Sequence, residues 1–348
     1  GRSRQTMATD KADLLPQRKD AVRRSAPRNL MRRAALFLLR SREASIAVAG
    51  IVLIIYFQST APAFLSLSNI GNLAEYTAMT AIIAAGLVLV LICGEVDLSV
   101  GQVYALSPFV MYFAQKAGVP FVPAIGVGLL AAAGVGIVNG VFTVTFRIPS
   151  FITTLGTLFL INGLTLIVSG GFPIRPEAGP MLAEIFGGNP ISQILWAIAV
   201  TLVLQFVLVK TRWGLHTIAT GGNPLGAAEV GIKIGRIKMG NFVICSVLGG
   251  LAGTLDTFRI GSIDPLAGGT EIMFMAIASS VIGGTLLTGG SGTIIGAFLG
   301  AAVLGILKDG FTLSGVSAYT FSMILGGAIL ITMLINVHLS RLRAAGAG

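Results

Sequence analysis

Long runs of apolar residues, separated by short polar stretches, dominate this chain. A helix that crosses a membrane needs about 20 mostly apolar residues, and residues 77–93 contain no charged residue at all. The pattern predicts ten spans: 44–64, 72–93, 98–117, 121–146, 150–169, 191–209, 239–258, 272–287, 293–308 and 319–337. The eighth and ninth are short and rich in glycine, so they are also consistent with a bent or re-entrant pair.

The composition agrees with a membrane protein and not with a soluble domain. Hydrophobic residues make up 54% of the chain and charged residues 11%, whereas soluble domains carry about 25% charged residues. The mean hydropathy is +0.87. We therefore expect an all-α integral membrane protein with about ten transmembrane helices. Its predicted regions are a basic tail (1–43), a ten-span domain (44–338) and a short C-terminal tail (339–348).

The distribution of charge predicts which side of the membrane each end occupies. Residues 1–43 hold 12 basic and four acidic residues, which accounts for +8 of the net charge of +10. A basic block can bind nucleic acid, but directly before an apolar span it is typical of a cytoplasmic tail. The predicted inner loops hold eight further basic residues against four in the outer loops. Both termini are therefore expected in the cytoplasm, and no nucleic-acid partner is expected.

A short acidic segment near residues 94–101 is the first candidate for chemistry. Glu95 and Asp97 interrupt an apolar stretch between Gly94 and Gly101. A carboxylate in lipid is costly unless it faces a cavity or the bundle interior, and non-helical backbone at membrane depth is tolerated only where it lines water or protein. The segment predicts a broken or re-entrant helix near 94–101, with a plain cytoplasmic turn as the alternative.

Neutral polar side chains near these acids complete the predicted substrate pathway. Asn139 and Thr154, with Asn162, lie in the fourth and fifth spans. They could equally be hydrogen-bonding partners between helices. The predicted pathway residues are Glu95, Asp97, Ser99, Asn139, Thr154 and Asn162.

The long basic inner loop, residues 210–238, contains a second candidate segment, 221–232. Asn223 suits a helix N-cap and Pro224 suits the first helical position. Leu225, Ala228 and Ile232 are spaced to share one helix face. The segment predicts a short amphipathic helix, either lying on lipid or docking a partner protein. No Lys follows a Gly in this chain, so the phosphate-binding loop motif is missing, and any ATP is expected on another chain.

Catalytic and metal sites are not expected. The two cysteines and two histidines are far apart and form no metal-binding motif. Glycine pairs at 283–284 and 289–290 predict tight helix crossings or a re-entrant turn. A membrane-embedded enzyme would need a nucleophile with a base, or a metal cluster.

Four sequence blocks, in order along the chain, resemble those of ribose-type ABC importer permeases. Residues 94–101 (GEVDLSVG) resemble the signature G-x-[IV]-D-L-S-V-G, and residues 147–157 (RIPSFITTLGT) resemble R-[IV]-P-[SP]-F-I-x-T-L-G. Residues 211–228 contain TRWG and GGNPLGAA, and residues 281–290 read VIGGTLLTGG, similar to two further family motifs. The chain is thus similar to monosaccharide importer permeases over most of its length.

The resemblance implies a function and a set of partners. Such a permease forms the translocation pathway of an ATP-driven sugar importer, as a dimer with a second permease copy in the inner membrane. A separate ATP-binding subunit carries ATP and Mg²⁺, and a periplasmic or lipid-tethered sugar-binding protein delivers the solute; no cofactor is expected on this chain.

The family's ATPase-coupling helix corresponds to residues 221–232, within the inner loop of this chain. The resemblance implies that the residues coupled to the ATPase are Gly222, Asn223, Pro224, Leu225, Ala227, Ala228 and Gly231. This chain lacks the leading Glu of the general docking pattern E-A-A-x-x-x-G.

An ion-coupled secondary transporter of a small polar solute is the alternative function. It would use intramembrane acids as ion sites and need no partner chain. Its candidates are Glu75, Glu95, Asp97 and Asp309. The sequence does not name the solute, so pentoses, hexoses, polyols, a sugar-like signal and nucleosides all stay open.

Overall fold

The computed structural model describes residues 42–317, 319–327, 330, 331 and 334. The predicted tails fall outside this range except for Arg42 and Glu43, which begin the first helix, and the second half of the span predicted at 319–337 is only partly described. The helices are α1 (Arg42–Thr60), α2 (Leu67–Ile92), α3 (Val100–Lys116), α4 (Phe121–Val144), α5 (Ser150–Ser169), α6 (Pro180–Ala183), α7 (Pro190–Lys210), α8 (Arg212–Gly222), α9 (Pro224–Glu229), α10 (Ile234–Ile260), α11 (Gly269–Ile282) and α12 (Ile294–Leu313). Residues 319–327 are also helical.

The described part of the chain is all-helical, without a β-strand. Seven of its helices are long and apolar enough to cross a membrane: α1, α2, α4, α5, α7, α10 and α12. Two others, α3 with 17 residues and α11 with 14, are shorter. The chain is a multi-pass membrane protein, and its long helices agree with the apolar runs of the sequence.

Helix α2 forms the centre of the bundle. Every residue from Thr77 to Ile92 is buried, as expected for a helix that is apolar on all sides. It packs against α7, α10, α11 and α12. We call the two ends of the bundle the Leu67 end and the Ile92 end, after the first and last residues of α2.

Glycines allow α10 to approach its neighbours closely. A Cβ atom at Gly136 of α4 would lie 2.6 Å from the Cα atom of Val243. A Cβ atom at Gly253 would overlap the carbonyl oxygen of Tyr104 in α3. Such contacts fit helix packing in lipid, where close backbone approach replaces the hydrophobic effect.

Five predicted boundaries differ from the observed ones by four or five residues. The first span ends at Thr60 rather than 64, the second begins at Leu67 rather than 72, and the ninth ends at Leu313 rather than 308. The other two lie in the seventh and eighth spans. The span predicted at 239–258 begins at Ile234, because Arg236 and Lys238 lie within α10 although their charges lower the local hydropathy. The span predicted at 272–287 runs from Gly269 to Ile282. Gly284 has a φ of +91°, a conformation that glycine adopts readily, and the chain turns there before α12.

Candidate functional site

The acidic segment between α2 and α3 is buried and hydrogen-bonded. Asp97 is 0% exposed, and its Oδ1 accepts from the backbone nitrogen of Ser99 at 2.9 Å and from the Ser99 hydroxyl at 2.6 Å. The same hydroxyl accepts from Asn139 Nδ2 at 2.8 Å. Thr157 then donates to Asn139 Oδ1 at 2.8 Å. One network therefore joins the segment to α4 and α5.

The start of α5 holds the same segment through its backbone. The nitrogen of Val96 donates to Ser150 Oγ at 3.1 Å, and Thr154 Oγ1 donates to the carbonyl oxygen of Val96 at 3.4 Å. Both polar groups of one loop residue are thus satisfied by α5, which fixes the position of the segment in the bundle.

Glu95 points to a different partner, Lys238 near the start of α10. Their side chains form an ion pair and are 14% and 22% exposed, respectively. A partly buried pair depends on both partners, because removing one leaves a poorly solvated charge. The two acids of the segment therefore serve different contacts, and neither lies free in solvent.

The structure unites four of the six predicted pathway residues and leaves two apart. Asp97, Ser99 and Asn139 belong to one network, and Thr154 contacts the same loop at Val96. Glu95 pairs elsewhere. Asn162 Oδ1 is buried and has no hydrogen-bond partner in the part of the chain that the structure describes. A role for these residues in a pathway stays a prediction.

The second candidate segment forms a shorter helix than expected. Asn223 caps α9 by accepting from the nitrogen of Gly226 at 3.0 Å, and Pro224 is the first helical residue, as the sequence predicted. The helix ends at Glu229 rather than Ile232. Gly231 ends the turn with a φ of +84°, a conformation that favours glycine.

This segment presents apolar side chains that nothing in the described chain covers. Leu225 is 80% exposed and Val230 is 77% exposed; Ala228 is exposed as well. Ala227 is buried against the rest of the chain, and Ile232 is half-buried. The predicted apolar face is therefore open at Leu225 and Ala228 but not at Ile232.

Helix α8, which directly precedes α9, is hydrogen-bonded to α10, and the same residue of α10 is bonded to the end of α2. Asn241 of α10 accepts from Trp213 Nε1 at 2.8 Å. Its amide nitrogen lies 3.2 Å from each of two acceptors, Thr217 Oγ1 in α8 and the carbonyl oxygen of Leu89 in α2. Sequence reasoning missed Asn241, which looks like one polar residue in an apolar helix.

A polar cavity of about 210 Å³ lies at the Leu67 end of the bundle. Charged and aromatic side chains from α2, α3, α10, α11 and α12 form much of its wall, and none of the six predicted pathway residues does. Among the described residues, no group of three His, Cys, Asp or Glu side chains could hold a metal ion.

A protein family described as "Branched-chain amino acid transport system / permease component" matches residues 69–334. The chain belongs to this permease family. The match covers the central bundle, both candidate segments and the cavity.

Relatives of this permease carry the names of sugar transporters. The xylose/arabinose import permease protein of Sulfolobus acidocaldarius is 35% identical and covers 88% of each chain. The ribose import permease protein of Escherichia coli K12 is 33% identical, over 83% of this chain and 92% of its own length. The ribose import permease protein of Bacillus subtilis is 36% identical, over 82% of this chain and 89% of its own length. No solved structure matches the chain.

Proposed function

We propose that this chain is the transmembrane permease subunit of an ATP-driven sugar importer in the inner membrane. The observation that carries the proposal is the set of relatives. Permeases named for xylose/arabinose, ribose and allose import each align with more than four-fifths of this chain. Agreement over that length includes the central helix and the inner loop, and is not limited to a shared apolar composition.

The proposed topology has ten spans with both termini in the cytoplasm. The seven long helices, together with α3, α11 and the helical residues from Tyr319, make ten. The Ile92 end is then the cytoplasmic end, in agreement with the exposed basic residues Lys210, Arg212, Lys233 and Arg236 around α8 and α9. The break between α2 and α3 lies at this end, closed by the Asp97 network.

The docking site for the ATP-binding subunit is proposed at the segment around α9. Its residues are Gly222, Asn223, Pro224, Leu225, Ala227, Ala228 and Gly231. Exposed apolar side chains outside the spans are typical of a protein contact, and a helix seated in a groove is a common way to make one. ATP and Mg²⁺ belong to that subunit. A second permease copy and a sugar-binding protein, which approaches the Leu67 end, complete the assembly.

Reconstitution tests the function. The chain is placed in vesicles with its ATP-binding subunit and its sugar-binding protein, and uptake of D-xylose, D-ribose, D-allose and L-leucine is measured. Sugar uptake that requires ATP and survives collapse of ion gradients is expected. Uptake of L-leucine alone, or uptake that follows an ion gradient without ATP, would contradict the proposal.

The variant Ala228→Arg tests the docking site. A charged side chain in an apolar contact is costly, so we expect about ten-fold less ATP-binding subunit to co-purify, equivalent to about 1.4 kcal/mol. The matched control is Ala63→Arg, at an exposed alanine at the Leu67 end. Equal thermal stability of both variants shows that the fold is intact, and equal co-purification with both variants would contradict the assignment.

A further inference from the structure

The polar cavity at the Leu67 end is built from the inside of the bundle. Its volume is about 210 Å³, below the range of about 300–1,000 Å³ that is usual for drug-sized ligands. Five helices contribute to its wall, among them the central α2. A space of this size, lined by charged and aromatic side chains together with Met79, Ile272 and Met275, suits a small solute with both polar and apolar surface.

One wall is a chain of hydrogen bonds that crosses four side chains. The Tyr104 hydroxyl donates to Asp256 Oδ2 at 2.5 Å. Asp256 Oδ1 accepts from Arg259 Nε at 2.7 Å, and Arg259 also donates to Glu75 Oε2 at 3.2 Å. Asp256 is 6% and Tyr104 3% exposed. These hydrogen bonds hold polar atoms of α2, α3 and α10 in fixed positions around the cavity.

The other wall carries a second ion pair beside an aromatic ring. Lys308 Nζ lies 2.9 Å from Glu271 Oε1 and 5.0 Å from the centre of the Tyr76 ring. Tyr76 and Tyr104 both line the cavity. Rings of this kind offer an apolar face with a polar edge, which is how proteins contact the carbon skeleton of a solute that also bears hydroxyls.

The charges in the wall favour a neutral solute over one that carries a carboxylate. Each of its acids, Glu75, Asp256 and Glu271, lies within 3.2 Å of a base, and Arg259 and Lys308 are the bases. A carboxylate, alone or in a zwitterion, would have to displace one of these three acids from Arg259 or Lys308 to pair with a base. Hydroxyl groups would not, because Arg has five N–H donors, Lys has three, and each carboxylate oxygen accepts more than one hydrogen bond.

We propose that this cavity, which we call the Tyr104 cavity, receives a neutral polyhydroxylated solute of monosaccharide size where the solute enters the bundle. The proposal rests on the proposed function, since it supplies the contact site for the imported sugar. The paired side chains of the wall provide hydrogen-bond donors and acceptors for the hydroxyl groups of the solute, and the two tyrosine rings face its carbon skeleton.

Protection of an introduced cysteine tests the cavity directly. Ile272 lines the cavity, is half-buried and belongs to neither hydrogen-bonded wall, so Ile272→Cys reports occupancy without removing a polar contact. The native Cys93 and Cys245 are buried and stay in place. The full chain in lipid nanodiscs is labelled with a small thiosulfonate reagent, with and without D-xylose, D-ribose, D-allose or L-leucine.

We expect at least one sugar to slow labelling of Ile272→Cys about ten-fold at ten times its dissociation constant, because only the empty cavity reacts. The control Ser59→Cys, exposed at the same end but outside the cavity wall, should label at an unchanged rate. Tyr104→Phe, introduced into the Ile272→Cys variant, removes the donor to Asp256 and should raise the dissociation constant of the sugar about 2- to 10-fold. Tyr112→Phe in the same variant lies outside the cavity and should leave the dissociation constant unchanged.

The failures of this inference and of the proposed function are distinguishable. If the reconstituted importer takes up a sugar that gives no protection at Ile272→Cys, the cavity assignment is overturned while the function stands. If L-leucine protects and no sugar does, the neutral polyhydroxylated class is wrong. If Tyr104→Phe and Tyr112→Phe leave protection unchanged, the polar wall does not bind the solute and the proposal is overturned.

Discussion

Gly221, near the end of α8, is the residue where a single methyl group should do the most damage. A Cβ atom there would overlap the carbonyl oxygen of Ile92, the last residue of α2, and lie 2.7 Å from the backbone nitrogen of Gly290. Those two backbone groups are hydrogen-bonded to each other at 2.8 Å. Gly221→Ala would therefore push a carbon atom into the contact between three backbone segments.

The cost of Gly221→Ala follows from those contacts. Overpacking of a tight site costs about 1–3 kcal/mol, and loss of the bond between Gly290 and Ile92 adds about 0.5–1.5 kcal/mol. Alanine restricts the unfolded chain and favours helix, which returns about 0.5–1 kcal/mol. The net loss in free energy of unfolding is therefore roughly 0.5–4 kcal/mol. Backbone atoms cannot rotate away as a side chain can, so the upper half of that range is expected.

The next residue provides the matched control. A Cβ atom at Gly222 would meet only the Cα atom of Gly290, at 3.8 Å, an ordinary van der Waals contact. Gly222→Ala makes the same chemical change one position along the same helix. It should leave the free energy of unfolding unchanged or raise it by up to about 1 kcal/mol.

Thermal unfolding of the full chain in nanodiscs measures the difference. We expect the apparent melting temperature of Gly221→Ala to lie below that of the wild type by several degrees, and that of Gly222→Ala to equal or exceed it. The reasoning fails if Gly221→Ala melts at or above the wild type, or if both variants fall equally. Either result would mean that α8, α2 and the turn at Gly290 are not in backbone contact.

Two further predictions concern helix packing and the acidic segment. Gly136→Ala should lower the melting temperature by an amount equivalent to about 1–3 kcal/mol, because its Cβ would lie 2.6 Å from the backbone of α10. The control Gly134→Ala, whose Cβ would have nothing within 4 Å, should leave the melting temperature unchanged. Equal effects of the two substitutions would contradict the packing of α4 against α10. Asp97→Ala should destabilise by about 1–3 kcal/mol by leaving the Ser99 donors unpaired, while Asp97→Asn keeps an acceptor and should lose less; the reverse order would argue against the observed network.

Helix bounds could be predicted closely where proline and glycine flank an apolar run. The span predicted at 150–169 has the observed bounds of α5, because a proline precedes it and a glycine pair follows. The prediction was wrong where charge lies on a helix, as at the start of α10, or where glycines end a helix inside an apolar run, as after Ile282. Hydropathy measures transfer to lipid and carries no direct information on backbone conformation.

Site residues were harder to predict, because their partners are distant in sequence. Asp97 could be recognised as a buried acid from its flanking glycines, but its partner Asn139 is 42 residues away. Tyr104 and Asp256 are 152 residues apart, and each lies within a helix with no motif around it. Only the packing of α3 against α10 brings them together, so the cavity was not foreseen.

Helix α2 connects the two regions for which a function is proposed. Near the Leu67 end it supplies Glu75 to the wall of the Tyr104 cavity, and at its other end Ile92 is held against Gly221 of α8 and bonded to Gly290. A buried helix with close backbone contacts cannot deform locally without breaking them, so it moves as a unit. If the ATP-binding subunit docks at α9, a displacement of α8 reaches the cavity through α2 and also through α10, which bonds α8 at Asn241 and supplies Asp256 and Arg259 to the cavity wall. Coupling then requires no charge relay between the ends, only tight contacts of α8 with these two helices.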